Sequence, residues 1–231
     1  LGPSLKYPGK SVGQIIAQGL PTSLKIGGAA LLTGTILGVA LGTAAALRPR
    51  READHLATFA VLAGVGLPTF VTAPLLVLVF ASWLGWLPTA GLKGPESLVL
   101  PVTVLTLPLL ATVSRLTRSG MAEALRSNAV RTARAQGLPR SVVVLRYALP
   151  QAILPLVSIL GPAAAGLLTG SLVVEQLFGL PGVGKAFVLS ALQRDYTVVL
   201  GVVILYAALI LVLNLVADLL YAALDPRVKL S

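Results

Sequence analysis

Five stretches of this chain contain no lysine, arginine, aspartate or glutamate, and each is long enough to cross a bilayer, which needs about 20 residues. They are residues 26–47, 55–92, 97–114, 147–174 and 196–217. The bilayer interior has no water to satisfy free peptide groups, so segments of this length cross it as helices. The sequence therefore predicts an all-α integral membrane protein with five spans. In the longest stretch we expect the span near residues 56–83, with Trp83 and Trp86 at the interface.

The loops between these stretches differ in charge. Successive loops lie on opposite sides of the membrane and so form two sets. One set carries twelve lysines and arginines, and the other carries five. Because such residues concentrate on the cytoplasmic side of membrane proteins, the first set is predicted to be cytoplasmic. The amino end then lies outside and the carboxyl end inside, and we expect one further span before Leu1.

The composition excludes several function classes. The chain has no cysteine, one histidine and only 11% charged residues, whereas a soluble domain has about a quarter charged residues. A disulfide, a thiolate metal site or histidine-based acid–base catalysis is therefore not expected. We predict no metal site, no cofactor held by this chain and no enzymatic activity. The net charge of +10 is explained by cytoplasmic loops near lipid rather than by nucleic acid.

Small residues recur every four positions in the first span: Ala30, Gly34, Gly38, Gly42 and Ala46. Residues four apart lie on one helix face, and small side chains there let two helices approach closely. Gly166 and Gly170 repeat the spacing in the fourth span. The pattern fits either packing within the chain or an interface between subunits.

A basic segment interrupts the apolar sequence at residues 115–150. It contains one acid, Glu123, and seven arginines: Arg115, Arg118, Arg126, Arg131, Arg134, Arg140 and Arg146. Asn128 is predicted to cap a helix that runs to about Gln136, and Gly137 to end it in the left-handed conformation. Pro139 then suits the first position of the next helix. The segment predicts a compact helix–glycine–helix between two spans.

This segment resembles the signature of permease subunits of binding-protein-dependent ABC importers. That signature reads Glu-Ala-Ala, three residues, Gly, nine residues, Ile, one residue and Leu-Pro. Here Arg131, Thr132 and Ala133 take the first three places. Gly137, Tyr147 and Leu149-Pro150 follow at the same spacing.

The amino-acid sequence around these positions is similar to that of the oligopeptide/dipeptide branch of the family. Further similarities lie at Leu67-Pro68-Thr69-Phe70, Gly170-Ser171-Leu172-Val173-Val174-Glu175, Phe178-Gly179-Leu180-Pro181-Gly182-Val183-Gly184, Arg194-Asp195-Tyr196 and Asp225-Pro226-Arg227. The resemblance covers nearly the whole chain.

The resemblance implies a single MetI-like transmembrane permease domain over residues 1–231 of a multi-pass protein of the bacterial inner membrane. It implies a second homologous permease, two cytoplasmic ATPase subunits that hold ATP and Mg²⁺, and an extracytoplasmic substrate-binding protein. The expected cargo is a peptide, with nickel or glutathione as alternatives. The residues expected to couple to the ATPase are Arg131, Thr132, Ala133, Arg134, Gly137, Leu138, Leu149 and Pro150.

A second motif, at residues 179–185, matches the first seven positions of a phosphate-binding P-loop. The eighth position is Ala186, which has no hydroxyl to hold Mg²⁺. We therefore predict no nucleotide site and interpret the motif as an ordered extracytoplasmic turn. Its candidate residues are Glu175, Phe178, Pro181, Gly182 and Gly184. Glu175 either faces cargo or accepts hydrogen bonds from loop N–H groups.

Two other classes are disfavoured. An intramembrane enzyme needs paired acids or a Ser/His constellation within the spans, and the eight acids and one histidine are placed mostly at span edges. An ion channel would need a charged or carbonyl-rich filter loop, and none is apparent in the sequence.

Overall fold

The computed structural model describes residues 2–49 and 66–224 and, between them, residues 52, 55, 58 and 59. The described α-helices are α1 (Val12–Leu47), α2 (Thr69–Leu76), α3 (Val99–Ala124), α4 (Asn128–Ala135), α5 (Arg140–Val142), α6 (Leu149–Leu177), α7 (Val183–Leu192) and α8 (Tyr196–Leu224). A π-helical turn, Val77–Trp83, continues α2, and another, Val143–Ala148, joins α5 to α6. A 3-10 turn, Pro95–Leu98, leads into α3.

Four helical runs are long and apolar enough to cross a membrane: Val12–Leu47, Pro95–Ala124, Arg140–Leu177 and Tyr196–Ala223. They contain four of the five stretches predicted from the sequence and extend beyond them. The remaining span, near residues 56–83, falls partly outside the described residues, and its described part contains the shorter apolar helix Thr69–Trp83. The all-α prediction is confirmed, whereas the orientation of the chain stays a prediction.

Two units can be distinguished from the contacts within the chain. The first unit comprises Leu1–Leu31, Leu67–Thr106 and Pro162–Leu213, and the second comprises Leu32–Gly66, Leu107–Gly161 and Asn214–Ser231. The second unit contains the basic segment, and the first contains the P-loop-like turn. The prediction of one domain over the whole chain stays a prediction.

The first unit has an apolar core built around the start of α1. Its buried members come from α1, α6, α7 and α8: Val12, Ile16, Leu168, Val183, Val198, Val202 and Tyr206. The helices approach closely here, because a Cβ added at Gly201 would lie 2.3 Å from Cγ1 of Val12. This core therefore packs the beginning of α8 against the beginning of α1.

In the second unit, the small-residue stripe of α1 packs against α3. A Cβ added at Gly38 would lie 2.7 Å from Cβ of Val113, and one added at Gly42 would lie 2.5 Å from the carbonyl oxygen of Ser114. Distances this short leave no room for a larger side chain. For Gly34, Gly38 and Gly42, the alternative of packing within the chain is the one that the structure supports.

We predict that Gly42→Val destabilises the folded protein, because the added side chain meets the α3 backbone, which cannot move aside. Overpacking of this kind costs about 1–3 kcal/mol or more. Thermal unfolding in detergent, followed by circular dichroism, measures the loss.

Gly28→Val is the matched control, because it places the same side chain on the same helix where nothing lies within 4 Å. It makes the same change in helix propensity without the clash. Equal midpoints for the two variants would contradict the close α1–α3 contact.

Candidate functional site

The basic segment contains α4, whose amino end is capped by Ser127. Ser127 has an extended backbone (φ −65°, ψ 154°), and its Oγ accepts a hydrogen bond from the N–H of Val130 at 3.4 Å. The predicted cap, Asn128, is instead the first helical residue. The prediction was wrong by one position, because two adjacent residues can both cap and the backbone turn selects the first.

The carboxyl end of α4 is closed by a Schellman motif centred on Gly137. Gly137 has φ +75°, its N–H donates to the carbonyl of Arg134 at 3.0 Å, and the N–H of Leu138 donates to that of Ala133 at 3.3 Å. These are the paired bonds that a left-handed residue after a helix makes possible. The predicted left-handed glycine is confirmed.

One face of α4 is buried in an apolar cluster. Val130 is 0% exposed and Ala133 is 1% exposed. The other buried members of the cluster are Met121, Ala124, Val143, Val144, Ala148 and Ala152, and the half-buried neighbours include Ala46, Leu47, Leu125, Leu138, Tyr147 and Leu149. An isolated eight-residue helix is unstable in water, so this packing and the two closed ends hold α4 in shape.

The predicted coupling residues therefore divide into two groups. Arg131, Thr132, Arg134, Gly137 and Pro150 are exposed. Ala133, Leu138 and Leu149 instead pack in or against the cluster beneath the helix. The first group forms a surface on which a partner could bind, and the second supports it.

The basic segment is also tied to α1. The Arg140 Nη2 donates a hydrogen bond to the carbonyl of Leu47, the last residue of α1, at 3.3 Å. A cation at this place interacts favourably with the carboxyl end of the helix. Pro139 has an extended backbone and precedes α5, which begins at Arg140. The prediction that Pro139 is the first helical residue was therefore wrong by one position.

In the first unit, the P-loop-like turn begins with a second Schellman motif. Gly179 has φ +63°, and its N–H donates to the carbonyl of Gln176 at 3.3 Å. The N–H of Leu180 donates to the carbonyl of Glu175 at 2.9 Å. The first glycine of the motif thus ends α6, as a glycine after a helix commonly does.

The first N–H groups of α7, which have no partner within the helix, donate hydrogen bonds to side chains of other helices. The Glu175 carboxylate accepts from the N–H groups of Gly184 at 2.7 Å and Lys185 at 3.3 Å. The N–H of Val183 donates to Oγ of Ser23 at 2.9 Å. Phosphate would bind these same groups in a P-loop, so a carboxylate and a hydroxyl already occupy the position that a nucleotide would need.

Glu175 is fully buried and also accepts from Oγ of Ser171 at 2.9 Å. Of the two roles considered for Glu175, the structure supports hydrogen bonding to loop N–H groups. A Cβ added at Gly182 would lie 2.1 Å from Oε2 of Glu175, so this glycine makes room for the carboxylate. Phe178 is buried, whereas Pro181 is exposed at the tip of the turn.

A second buried carboxylate, Asp195, was not identified from the sequence as a structural centre. It accepts hydrogen bonds from Ser4 Oγ, Thr197 Oγ1 and the N–H groups of Leu5, Lys6 and Val198. Burial raises the pKa of Asp195, but these hydrogen bonds outweigh it and leave the pKa well below its usual range. The carboxylate therefore stays ionised and holds the segment before α1 against the α7–α8 turn.

We predict that Glu175→Ala destabilises the first unit, because it removes the acceptor of the buried N–H of Gly184 and of the half-buried N–H of Lys185. The cost of one unsatisfied buried donor is about 1–3 kcal/mol. The midpoint of thermal unfolding and limited proteolysis at the 179–185 turn measure the effect.

Gln176→Ala is the matched control, since Gln176 is the exposed neighbour on the same helix. It should leave both readings unchanged. A Glu175→Ala protein that melts with the wild type and resists protease equally would show that the carboxylate is dispensable.

Comparison with known proteins identifies the family. Residues 38–230 match the family described as "Binding-protein-dependent transport system inner membrane component". The chain belongs to this family. This membership confirms the resemblance to permease subunits and the multi-pass location in the inner membrane. Members of the family are permeases rather than enzymes. Membership also implies ATPase and substrate-binding-protein partners.

Two relatives of this chain are permeases of peptide transport systems. The oligopeptide transport system permease protein OppB of Haemophilus influenzae is 45% identical over 230 residues, which cover 99% of this chain and 75% of the relative. The dipeptide transport system permease protein DppB of Bacillus subtilis is 39% identical over 229 residues, covering 99% of this chain and 74% of the relative.

Solved structures agree on the fold. A chain of the MetNI methionine ABC transporter in an inward-facing conformation matches with a TM-score of 0.74 at 16% identity, covering 91% of this chain and 96% of that chain. A chain of an amino acid ABC transporter with histidines matches with a TM-score of 0.66 at 19% identity, covering 94% of this chain and 95% of that chain. These matches confirm the MetI-like fold.

Proposed function

We propose that this chain is a permease subunit of an ATP-driven peptide importer. It forms half of a translocation pathway with a second homologous permease, and two cytoplasmic ATPase subunits bind ATP and Mg²⁺. A substrate-binding protein delivers cargo on the opposite side. The relatives are permeases of oligopeptide and dipeptide transport systems, which favours peptides over nickel or glutathione as the cargo.

The observation that carries this proposal is the fixed exposed face of α4. Arg131, Thr132 and Arg134 project from a helix whose two ends are closed and whose other face is buried. A short helix held this way moves as a rigid body when a partner pushes on it. In our proposal, closure of the ATPases displaces α4, and the spans that flank it change access from one side to the other.

The flanking structure suits that transmission. The Arg140 guanidinium links the basic segment to the end of α1. A Cβ added at Gly120 would lie 2.7 Å from the carbonyl oxygen of Ala152, so the end of α3 and the start of α6 are in direct backbone contact. Force applied at α4 therefore reaches three long helices through contacts within the second unit. Neither a catalytic constellation nor a bound nucleotide on this chain is needed.

We predict that a cysteine at Gln136 or Thr132 forms a crosslink with a cysteine on the ATPase surface, because Thr132 is exposed on α4 and Gln136 is exposed directly after it. A cysteine at Ala133 should not, because Ala133 is 1% exposed. The assay is oxidative crosslinking of the assembled transporter, read on a non-reducing gel.

The Ala133 variant is the matched control, since it lies in the same helix between the two test positions. Efficient crosslinking from the 179–185 turn instead would reverse the predicted orientation and refute the coupling role of α4.

We predict that Gly137→Val lowers ATP-dependent peptide uptake while Gly137→Asn largely retains it. The left-handed conformation costs a residue with a Cβ roughly 1–2 kcal/mol, and asparagine tolerates it best. Nothing lies within 4 Å of an added Cβ here, so the two variants differ in backbone strain rather than in clashes. Uptake of a radiolabelled tripeptide into proteoliposomes holding the assembled transporter is the measurement.

The same assay tests the cargo. Unlabelled tripeptide should compete with the labelled one, whereas Ni²⁺ and glutathione should not. Competition by glutathione or Ni²⁺ alone would assign the alternative cargo. Normal uptake by Gly137→Val at equal membrane levels would show that the left-handed closure is incidental to coupling.

A further inference from the structure

A large open cavity lies within the second unit, beside the amino end of α4. Its volume is about 840 Å³, within the usual range of ligand sites, about 300–1,000 Å³. It is lined by the end of α3, the turn between α3 and α4, the start of α6 and one residue of α8: Gly120, Glu123, Ala124, Arg126, Ser127, Gln151, Leu154, Pro155, Ser158 and Tyr221. The functions described above do not use it.

The cavity wall carries one acid and one base. Glu123 lies in the last turn of α3, Arg126 lies in the turn that follows the helix, and both are exposed. Within the described part of the chain, no hydrogen bond or ion pair engages either side chain. Both charges are therefore available to a molecule that enters the cavity, and such a molecule meets a negative and a positive group side by side.

The remaining lining is suited to a short polar chain. Ser158 and Tyr221 offer hydroxyl groups, and Leu154, Pro155 and Ala124 provide apolar surface. An anion that carries no positive group, such as inorganic phosphate or the headgroup of phosphatidylglycerol, would be attracted by Arg126 but repelled by Glu123. A zwitterion satisfies both, because a carboxylate accepts from an ammonium group while a guanidinium donates two parallel bonds to a carboxylate.

We propose that this cavity binds the free termini of a short peptide, with Glu123 holding the ammonium group and Arg126 the terminal carboxylate. Extended di- and tripeptides span about 7–11 Å, which two flexible side chains, one at the end of α3 and one in the turn that follows, can bracket. The predicted orientation places the cavity on the cytoplasmic side, so it would bind cargo after transport.

Occupancy of the cavity would bear directly on coupling. Ser127 lines the cavity, and its Oγ caps α4. A peptide against Ser127 would restrain the amino end of the helix that the ATPases displace. Accumulated cargo would then slow further import. This regulatory step rests on the proposed function, whereas the binding of a zwitterion does not.

The first experiment measures binding alone. Trialanine is titrated calorimetrically into the permease pair in nanodiscs without binding protein or ATPases, and the N-acetylated and C-amidated forms are compared with it. We expect each blocked form to bind about tenfold more weakly or worse, as the loss of a charged hydrogen bond implies.

The variants assign each terminus. Glu123→Gln should bind the free and N-acetylated peptides equally while still binding the C-amidated peptide more weakly. Arg126→Gln should bind the free and C-amidated peptides equally while still binding the N-acetylated peptide more weakly. Arg115→Gln changes an exposed arginine of α3 outside the cavity and should behave as wild type. Equal binding of free and blocked peptides by the wild type would refute the site. Binding of phosphatidylglycerol that depends on Arg126 and not on Glu123 would assign the cavity to lipid instead.

The second experiment measures regulation. Proteoliposomes preloaded with trialanine should import labelled peptide several-fold more slowly than empty ones, and Glu123→Gln should remove that difference without changing uptake into empty vesicles. Unchanged inhibition in the variant would refute the regulatory role. Zwitterion binding without any peptide uptake would instead refute the proposed function and leave the site intact.

Discussion

Closure of helix ends is the constraint on which the rest of this structure depends. Helices of a membrane protein end in unpaired N–H and C=O groups that need partners. The same pair of backbone hydrogen bonds ends α4 at Gly137, α6 at Gly179 and α7 at Arg194. At each place the chain turns sharply, which positions both the exposed face of α4 and the turn at residues 179–185.

Much of the fold could be predicted from the sequence because lipid imposes simple rules. Uncharged stretches of about 20 residues must be helices, and Gly137 lies where a left-handed residue is required. Finer boundaries could not be predicted. Ser127 and Asn128 are both good caps, and only the backbone path decides between them. The π-helical turn Val143–Ala148 precedes Pro150, whose missing N–H cannot continue an ordinary helix, but the sequence does not show where the extra residue is accommodated.

The candidate sites were predicted where their signals are local. Arg131 and Thr132 project outward as the coupling prediction requires, whereas Ala133 lies inward because helix periodicity places it with Val130. Asp195 was missed because its main partners, Ser4 and Leu5, lie 191 and 190 positions away. The role of Glu175 was left open because it depends on contacts with residues nine and ten positions later. Long-range hydrogen bonding of this kind leaves no periodic trace in a sequence.

Arg194 shows why glycine alone is an incomplete guide to such turns. It has φ +60°, a conformation that costs a residue with a Cβ roughly 1–2 kcal/mol. The next residue is Asp195, whose N–H donates to the carbonyl of Ser190 at 2.8 Å and whose carboxylate accepts from the segment before α1. Those bonds fix the turn from its far side, so the local strain is offset by contacts elsewhere. A helix end can therefore be closed either by a residue that tolerates the turn or by a network that enforces it, and only the first is visible in the sequence.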